Sequence, residues 1–208
     1  MPPIRPKPNR SELSGCYLSA MAVASAPQLR RDARNNRERI LDAARELFAD
    51  SADVAMCTIA KRAGVGQATL YRNFPNRGAL AAEIIDEHVE QVAALAAEHE
   101  GDSAAFFVLW RSMIDGMVSL YALAVLARKD ATTDEHLKRA RKRIAEILKG
   151  PLCEAKSSGA IRRDLSLEDL FLLLAMGRGA MEGLPDAAAR SAVAHRVLAL
   201  QLGGIESR

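Results

Sequence analysis

Residues 58–80 read TIAKRAGVGQATLYRNFPNRGAL. The stretch divides at Gly64, a residue suited to the positive φ of a tight turn. Before it, a short helix is predicted over roughly Met56 to Ala63, with Ile59, Ala60 and Ala63 facing inward. After it, Val65 is a buried link, and a second helix is predicted from about Gln67 to Phe74, ended by the PNRG run. Only Leu70 and Phe74 can anchor that second helix. Gln67, Ala68, Tyr71 and Arg72 are left facing outward. Two short helices joined by a Gly turn, with alanines that permit close approach at the crossing, form a helix-turn-helix. Its second helix is pinned by two side chains so that the other flank can enter a groove.

The flanking sequence supplies the frame. Upstream, Asn36 is a candidate N-cap, and Ile40, Ala44, Leu47 and Phe48 share one helical face of a segment ending near Asp50. Downstream, a helix from about Gly78 carries Leu80, Ile84, His88, Val92 and Leu95 at helical spacing. Residues 1–80 hold 13 Lys/Arg against 7 Asp/Glu, whereas the remaining chain is slightly acidic within a net charge of +3. A basic N-terminal part on an acidic body points to a polyanion at one end, although a solvated charged surface has the same composition.

The whole chain has 208 residues, 49% hydrophobic and 4% aromatic, rich in Ala and Leu. This favours helices. No segment has the period of a strand and no internal repeat is present, so the expected fold class is all-α, with nine or so helices. Residues 1–30 are Pro-rich and then weakly apolar. They read as a disordered tail, with a signal peptide or a true start at Met21 as alternatives. Cys16, Cys57 and Cys153 show no CxxC spacing, so a reducing cytoplasm is the expected setting and Cys57 is expected in the core. Residues 103–127 are apolar enough to suggest a membrane span. Arg111 and Asp115 in the middle, spaced to pair along one face, favour a buried helix of about 103–128 instead. A basic helix over about 134–158 is expected to break or bend at Gly150-Pro151. Two apolar helices, 167–183 and 187–202, close the chain. No ExxH, HExxH or Gly-rich phosphate loop occurs, so neither a metal, a cofactor nor catalysis is expected.

Together, RERILDAARELFADS (37–51) and residues 58–80 resemble the DNA-binding domain of TetR-family transcriptional regulators. The likeness rests on Ile40, Leu41, Ala43, Ala44, Leu47, Phe48, Ile59, Ala60, Ala63, Gly64, Val65, Thr69, Leu70, Tyr71, Phe74 and Leu80. The rest of the chain is similar only in general plan. The resemblance implies a DNA-binding domain over 31–80 and a helical ligand-binding and dimerisation domain over 81–208. It implies that Thr69 and Tyr71 meet phosphate, and that Arg77 adds charge at the start of the following helix. Gln67 would read adenine, Arg72 guanine or phosphate, and Ala68 a thymine methyl. Arg37, with Arg34, Arg30 and Arg31, lies near enough to reach the duplex. Ala55 and Met56 stand where the family has a capping Ser or Thr, so no phosphate contact is carried there, and Gly66 stands where Ser is common, so that cap is weaker.

For the second domain, Phe107, Trp110, Met113, Met117 and Tyr121 are candidates for the wall of an effector pocket, with packed core as the alternative. Arg178 is a candidate anchor, or a partner for Glu182; Arg111 and Asp115 are open in the same way. Leu170, Leu174, Gly177, Met181, Val197 and Leu198 are the candidate dimer interface, with Gly177, Gly179 and Gly183 admitting a partner helix. The function implied is a ligand-responsive repressor. It would bind a palindromic operator in double-stranded DNA as a homodimer and release it when a small molecule occupies the second domain. An all-α enzyme and a protein-binding scaffold are the alternatives.

Overall fold

The computed structural model describes residues 31 and 33–205, and the expected tail, with Cys16 and Arg30, lies outside them. Nine helices follow one another among the described residues: α1 (33–50), α2 (Met56–Ala63), α3 (Gln67–Asn73), α4 (Arg77–Glu98), α5 (Ala105–Ser119), α6 (Tyr121–Ala127), α7 (Ala131–Ser157), α8 (Leu167–Ala180) and α9 (Ala187–Ile205). No β-sheet occurs among these residues.

Helices α1, α2 and α3 close around Ile40, Phe48, Ile59 and Leu70, all fully buried, with Phe74 sealing the end of α3. Gly64 has φ 65°, and its amide and that of Val65 bond back to Lys61 O and Ala60 O at 3.2 and 3.0 Å. That paired closure with a left-handed Gly ends α2 and aims α3 across it. Asn76 caps α4, its side chain accepting from Ala79 N at 2.8 Å.

Helix α4 then runs into the second domain and packs along α7. The long helix expected over 103–128 is two, α5 and α6, meeting at Leu120 with a 64° bend. No single described helix is long and apolar enough to cross a membrane. Conversely, α7 runs unbroken through Pro151. Pro151 lies past the middle of a helix already packed through Ile144, Leu148, Leu152 and Ala155, and that burial outweighs the bond the ring removes.

Arg190 and Asp130 are among the side chains that tie the domains together. Arg190 of α9 is almost fully buried, donates to Ala49 O and, at 3.0 Å, to Asp50 O, and lies over the Tyr121 ring at 5.0 Å. The carbonyl end of α1 carries partial negative charge, so it and the ring face compensate a guanidinium that has no carboxylate partner among the described residues. Asp130 caps α7 through Thr133 N and Oγ1 at 2.7 and 2.6 Å, and a Cβ on Gly78 would sit 2.7 Å from its Oδ1. The first turn of α4 thus rests against the first turn of α7.

Candidate DNA interface and effector cavity

The outer flank of α3 is open. Gln67, Ala68, Tyr71 and Arg72 are exposed, Tyr71 at 49%. Arg72 is held along its own helix by bonds to Ala68 O (3.1 Å) and Thr69 Oγ1 (3.4 Å), which fold its guanidinium back along the preceding turn. Thr69 is half-buried, and its hydroxyl is the acceptor in that bond. Gly66 precedes the helix without a side-chain cap, leaving the first amides of α3 unclaimed by any side chain.

Two of the expected DNA contacts have partners within the chain. The Arg37 guanidinium pairs with Glu83 at 2.5 Å and lies over the Phe74 ring at 4.6 Å. It clamps α1, the end of α3 and α4 into one frame. Arg77 is half-buried, and its Nη1 donates to Ala52 O and Val54 O at 3.3 and 3.4 Å, closing the α1–α2 loop. Both cations hold the head together. Arg34 pairs with Glu38 at 3.1 Å on the exposed side of α1. Cys57, expected in the core, is exposed on α2, because Met56 and Ile59 occupy the inward positions.

The second domain holds a cavity of about 420 Å³ between α4, α5, α6, α7 and α8. Of the candidate effector residues, Met113, Met117 and Arg178 line it. Phe107, Trp110 and Tyr121 do not. Trp110 is fully buried and stacked on Phe106, with ring centroids 6.5 Å apart, while Phe107 meets Phe106 edge-on at 5.5 Å. Phe106 and Trp110 are core and half-buried Phe107 packs against them; Tyr121 is the platform under Arg190. His88 reaches the cavity from α4 against Gly116, where a Cβ would collide with its ring, and burial pushes the His88 imidazole below its ordinary pKa. Sequence periodicity had marked His88 as an inward position without assigning it to a cavity. The expected local pairs are replaced by long-range ones: Asp115 faces His195 at 3.9 Å, and Glu182 faces Arg128 at 3.7 Å.

The candidate dimer residues also sort differently. Leu170 and Met181 are fully buried, and Gly177 and Leu198 are buried, all within the protomer. A Cβ on Gly177 would lie 3.0 Å from Met117 Cε and 3.1 Å from Val197 Cγ1, so its smallness serves approach inside one chain. Leu174 lines the cavity and Val197 is half-buried. The apolar side chains left outside on these helices are Leu172 (59%), Met176 (61%) and Leu200 (60%).

A polar-flanked helix held across a Gly-turned partner, on an all-helical body with its own cavity, has known counterparts. Residues 40–84 match the sequence family described as bacterial regulatory proteins, tetR family, and residues 102–207 match the C-terminal domain of SbtR-like transcriptional regulators. The chain belongs to the TetR family. Among TetR-family crystal structures, the TetR transcription regulatory protein from Mycobacterium vanbaalenii is 28% identical with a TM-score of 0.61, covering 86% of this chain and 99% of that one. A TetR transcriptional regulator from Streptomyces coelicolor is also 28% identical, with a TM-score of 0.62 over 82% of this chain and 98% of that one. An HTH-type transcriptional regulator of Staphylococcus aureus is 36% identical over 64 residues, which are 30% of this chain and 35% of the relative, so the matched stretch spans about a third of that protein. The TetR-family assignment places the DNA-binding helix-turn-helix within residues 40–84 and a C-terminal effector domain within residues 102–207.

Proposed function

We propose that this TetR-family chain is a repressor that binds a palindromic operator as a homodimer and leaves it when a small molecule fills the α4–α8 cavity. The observation that carries the reading is the exposed flank of α3, where Gln67, Ala68, Tyr71 and Arg72 stand clear of the core while Leu70 and Phe74 hold the helix from behind. In a major groove, Gln67 would meet adenine N6 and N7, Ala68 a thymine methyl, and Arg72 guanine or phosphate. The Tyr71 hydroxyl would meet phosphate, with Thr69 closer to the edge of the contact. One helix of this length reads few base pairs, and a second copy on a two-fold axis doubles the site.

Release is mechanical. Two heads in successive major grooves stand roughly 34–36 Å apart. A ligand against His88 and Val89 bears on α4, and one against Leu120 and Ala124 bears on α6. Helix α4 leads to the Gly78–Asp130 contact, and α6 starts at Tyr121 under Arg190, so both paths end at the DNA-binding head. The ligand must bind the wrongly spaced state more tightly, because equal affinity for both shifts nothing.

A gel shift on DNA upstream of the chain's own gene, run at several salt concentrations, tests the reading. Specific retention that falls steeply with salt is expected. Absence of retention at low salt contradicts it.

A further inference from the structure

The cavity separates charge from apolar surface. Its inner wall is Ile85, Met113, Met117, Ala140 and Ile144. His88, half-buried, reaches that wall, and burial favours its neutral form, so the wall itself carries no carboxylate or guanidinium. Around the opening stand Arg128, Lys138, Arg141 and Arg178 against one carboxylate, Asp134. Lys138 bonds to Asp134 at 2.7 Å and to Glu135 at 3.1 Å, and Arg128 faces Glu182 at 3.7 Å. Arg141 lies over the Phe171 ring at 4.5 Å, and neither it nor Arg178 has an acidic partner among the described residues. Phe171 and Arg178 are seven residues apart on α8, two turns along the face that lines the cavity, so the two guanidinia border the same opening. A cationic ligand would meet repulsion there. A wholly apolar one would leave the pair of cations unanswered at its exposed end.

We propose that the ligand of this cavity is an apolar molecule with one anionic head group, its body against Met113, Met117 and Ile144 and its head between Arg141 and Arg178. The inference rests on the reading of this cavity as the effector site and supplies the chemical class that reading lacks. Guanidinium suits a carboxylate or sulfonate head because two N–H donors meet two oxygens in plane. Binding brings the head group against apolar wall and removes water, so the pairs count for more than they do on the free surface.

Two fluorescent probes of nearly equal shape test it: 1-anilinonaphthalene-8-sulfonate, an anion, and N-phenyl-1-naphthylamine, its neutral counterpart. Each is titrated into the full chain. The anion is expected to bind more tightly, and decanoate is expected to displace it where decanol at the same concentration does not. In the double variant Arg141→Gln, Arg178→Gln, affinity for the anionic probe is expected to fall roughly ten-fold while that for the neutral probe holds. Ala175→Trp, an exposed position on the cavity rim, is expected to weaken both probes. An unchanged preference in the double variant, equal binding of the two probes by the native chain, or binding of both unaffected by Ala175→Trp overturns the proposal. Operator retention is read on the same samples. A chain that retains no duplex yet keeps the charge-dependent preference breaks the regulator reading alone; one that retains duplex and shows no preference breaks the ligand class alone.

Discussion

Helices α3 and α8 each bury little of themselves, yet they leave opposite kinds of surface outside. Helix α3 buries Leu70 and exposes Gln67, Tyr71 and Arg72; α8 buries Leu170 and Gly177 and exposes Leu172 and Met176. A polar flank with a cation and an amide suits a polyanion whose groove edges are donors and acceptors. An apolar flank beside a second exposed leucine, Leu200 of α9, suits a protein surface of the same kind, as a second copy supplies. Weakly buried helices are thus informative through the chemistry they leave out.

The largest effect is expected where the α8 face is made hostile. Leu172→Glu with Met176→Glu places like charges on the patch where the proposed dimer would meet, and operator affinity should fall by at least about 100-fold as one head loses its partner. Sedimentation of the variant should show a monomer with native helix content. A dimer that survives would move the interface elsewhere and break the comparison.

Next comes the joint between the two regions. Arg190→Met leaves the α1 carbonyls without donors and should cost about 1–3 kcal/mol in denaturant unfolding, with faster amide exchange at the end of α1. Arg190→Lys should recover only part, because an ammonium cannot reproduce the planar fork over Tyr121.

On α3 itself, Gln67→Ala should cost about 1–3 kcal/mol against one base pair and relax preference there, whereas Tyr71→Phe should weaken all sequences alike by about 1 kcal/mol. If both changes leave operator binding intact, the flank of α3 is not the reading surface.

The smallest effect is a change of slope. His88 has its pKa lowered from 6.5 by burial, so the folded chain binds fewer protons than the unfolded chain as pH falls through that value. Its contribution to stability is full above about pH 6.5 and is lost progressively on acidification toward the lowered folded value. His88→Gln should flatten that limb in pH-dependent melting. The hydrogen-bonded carboxylates of Asp130 and Asp169, held below their usual 3.8, act only at more acidic pH.

The helix-turn-helix was legible because its signals are local. Gly64, the alanines at the crossing, and Leu70 with Phe74 fix α2 and α3 within a few residues of one another. The roles of Arg37 and Arg77 were not legible, since a cation beside a DNA-binding helix reads the same whether it faces phosphate or closes a loop. Glu83 and the Ala52 carbonyl, the partners these two cations meet, are brought in by the fold. The second domain hides more. Helix α8 is apolar nearly all round, so composition marks it as buried without saying which face meets its own chain. Residues 170, 174, 177 and 181 follow the inward spacing. Leu172 and Met176 lie about 200° around the helix from Leu170 and Leu174, an offset that was present in the sequence and distinguishes the outer face. The core role of Trp110 was a matter of tertiary packing: an aromatic on an apolar helix lines a cavity or fills a core according to what the other helices place opposite it.

The most direct measurement is selection of bound duplexes from a random library, carried out with the native chain and with Gln67→Ala. The native chain should enrich an inverted repeat with two copies bound per duplex, and the variant should lose preference at one base pair in each half, at symmetry-related positions. Enrichment of a single unrepeated site, or an unchanged base preference in the variant, would contradict two copies of α3 reading the duplex.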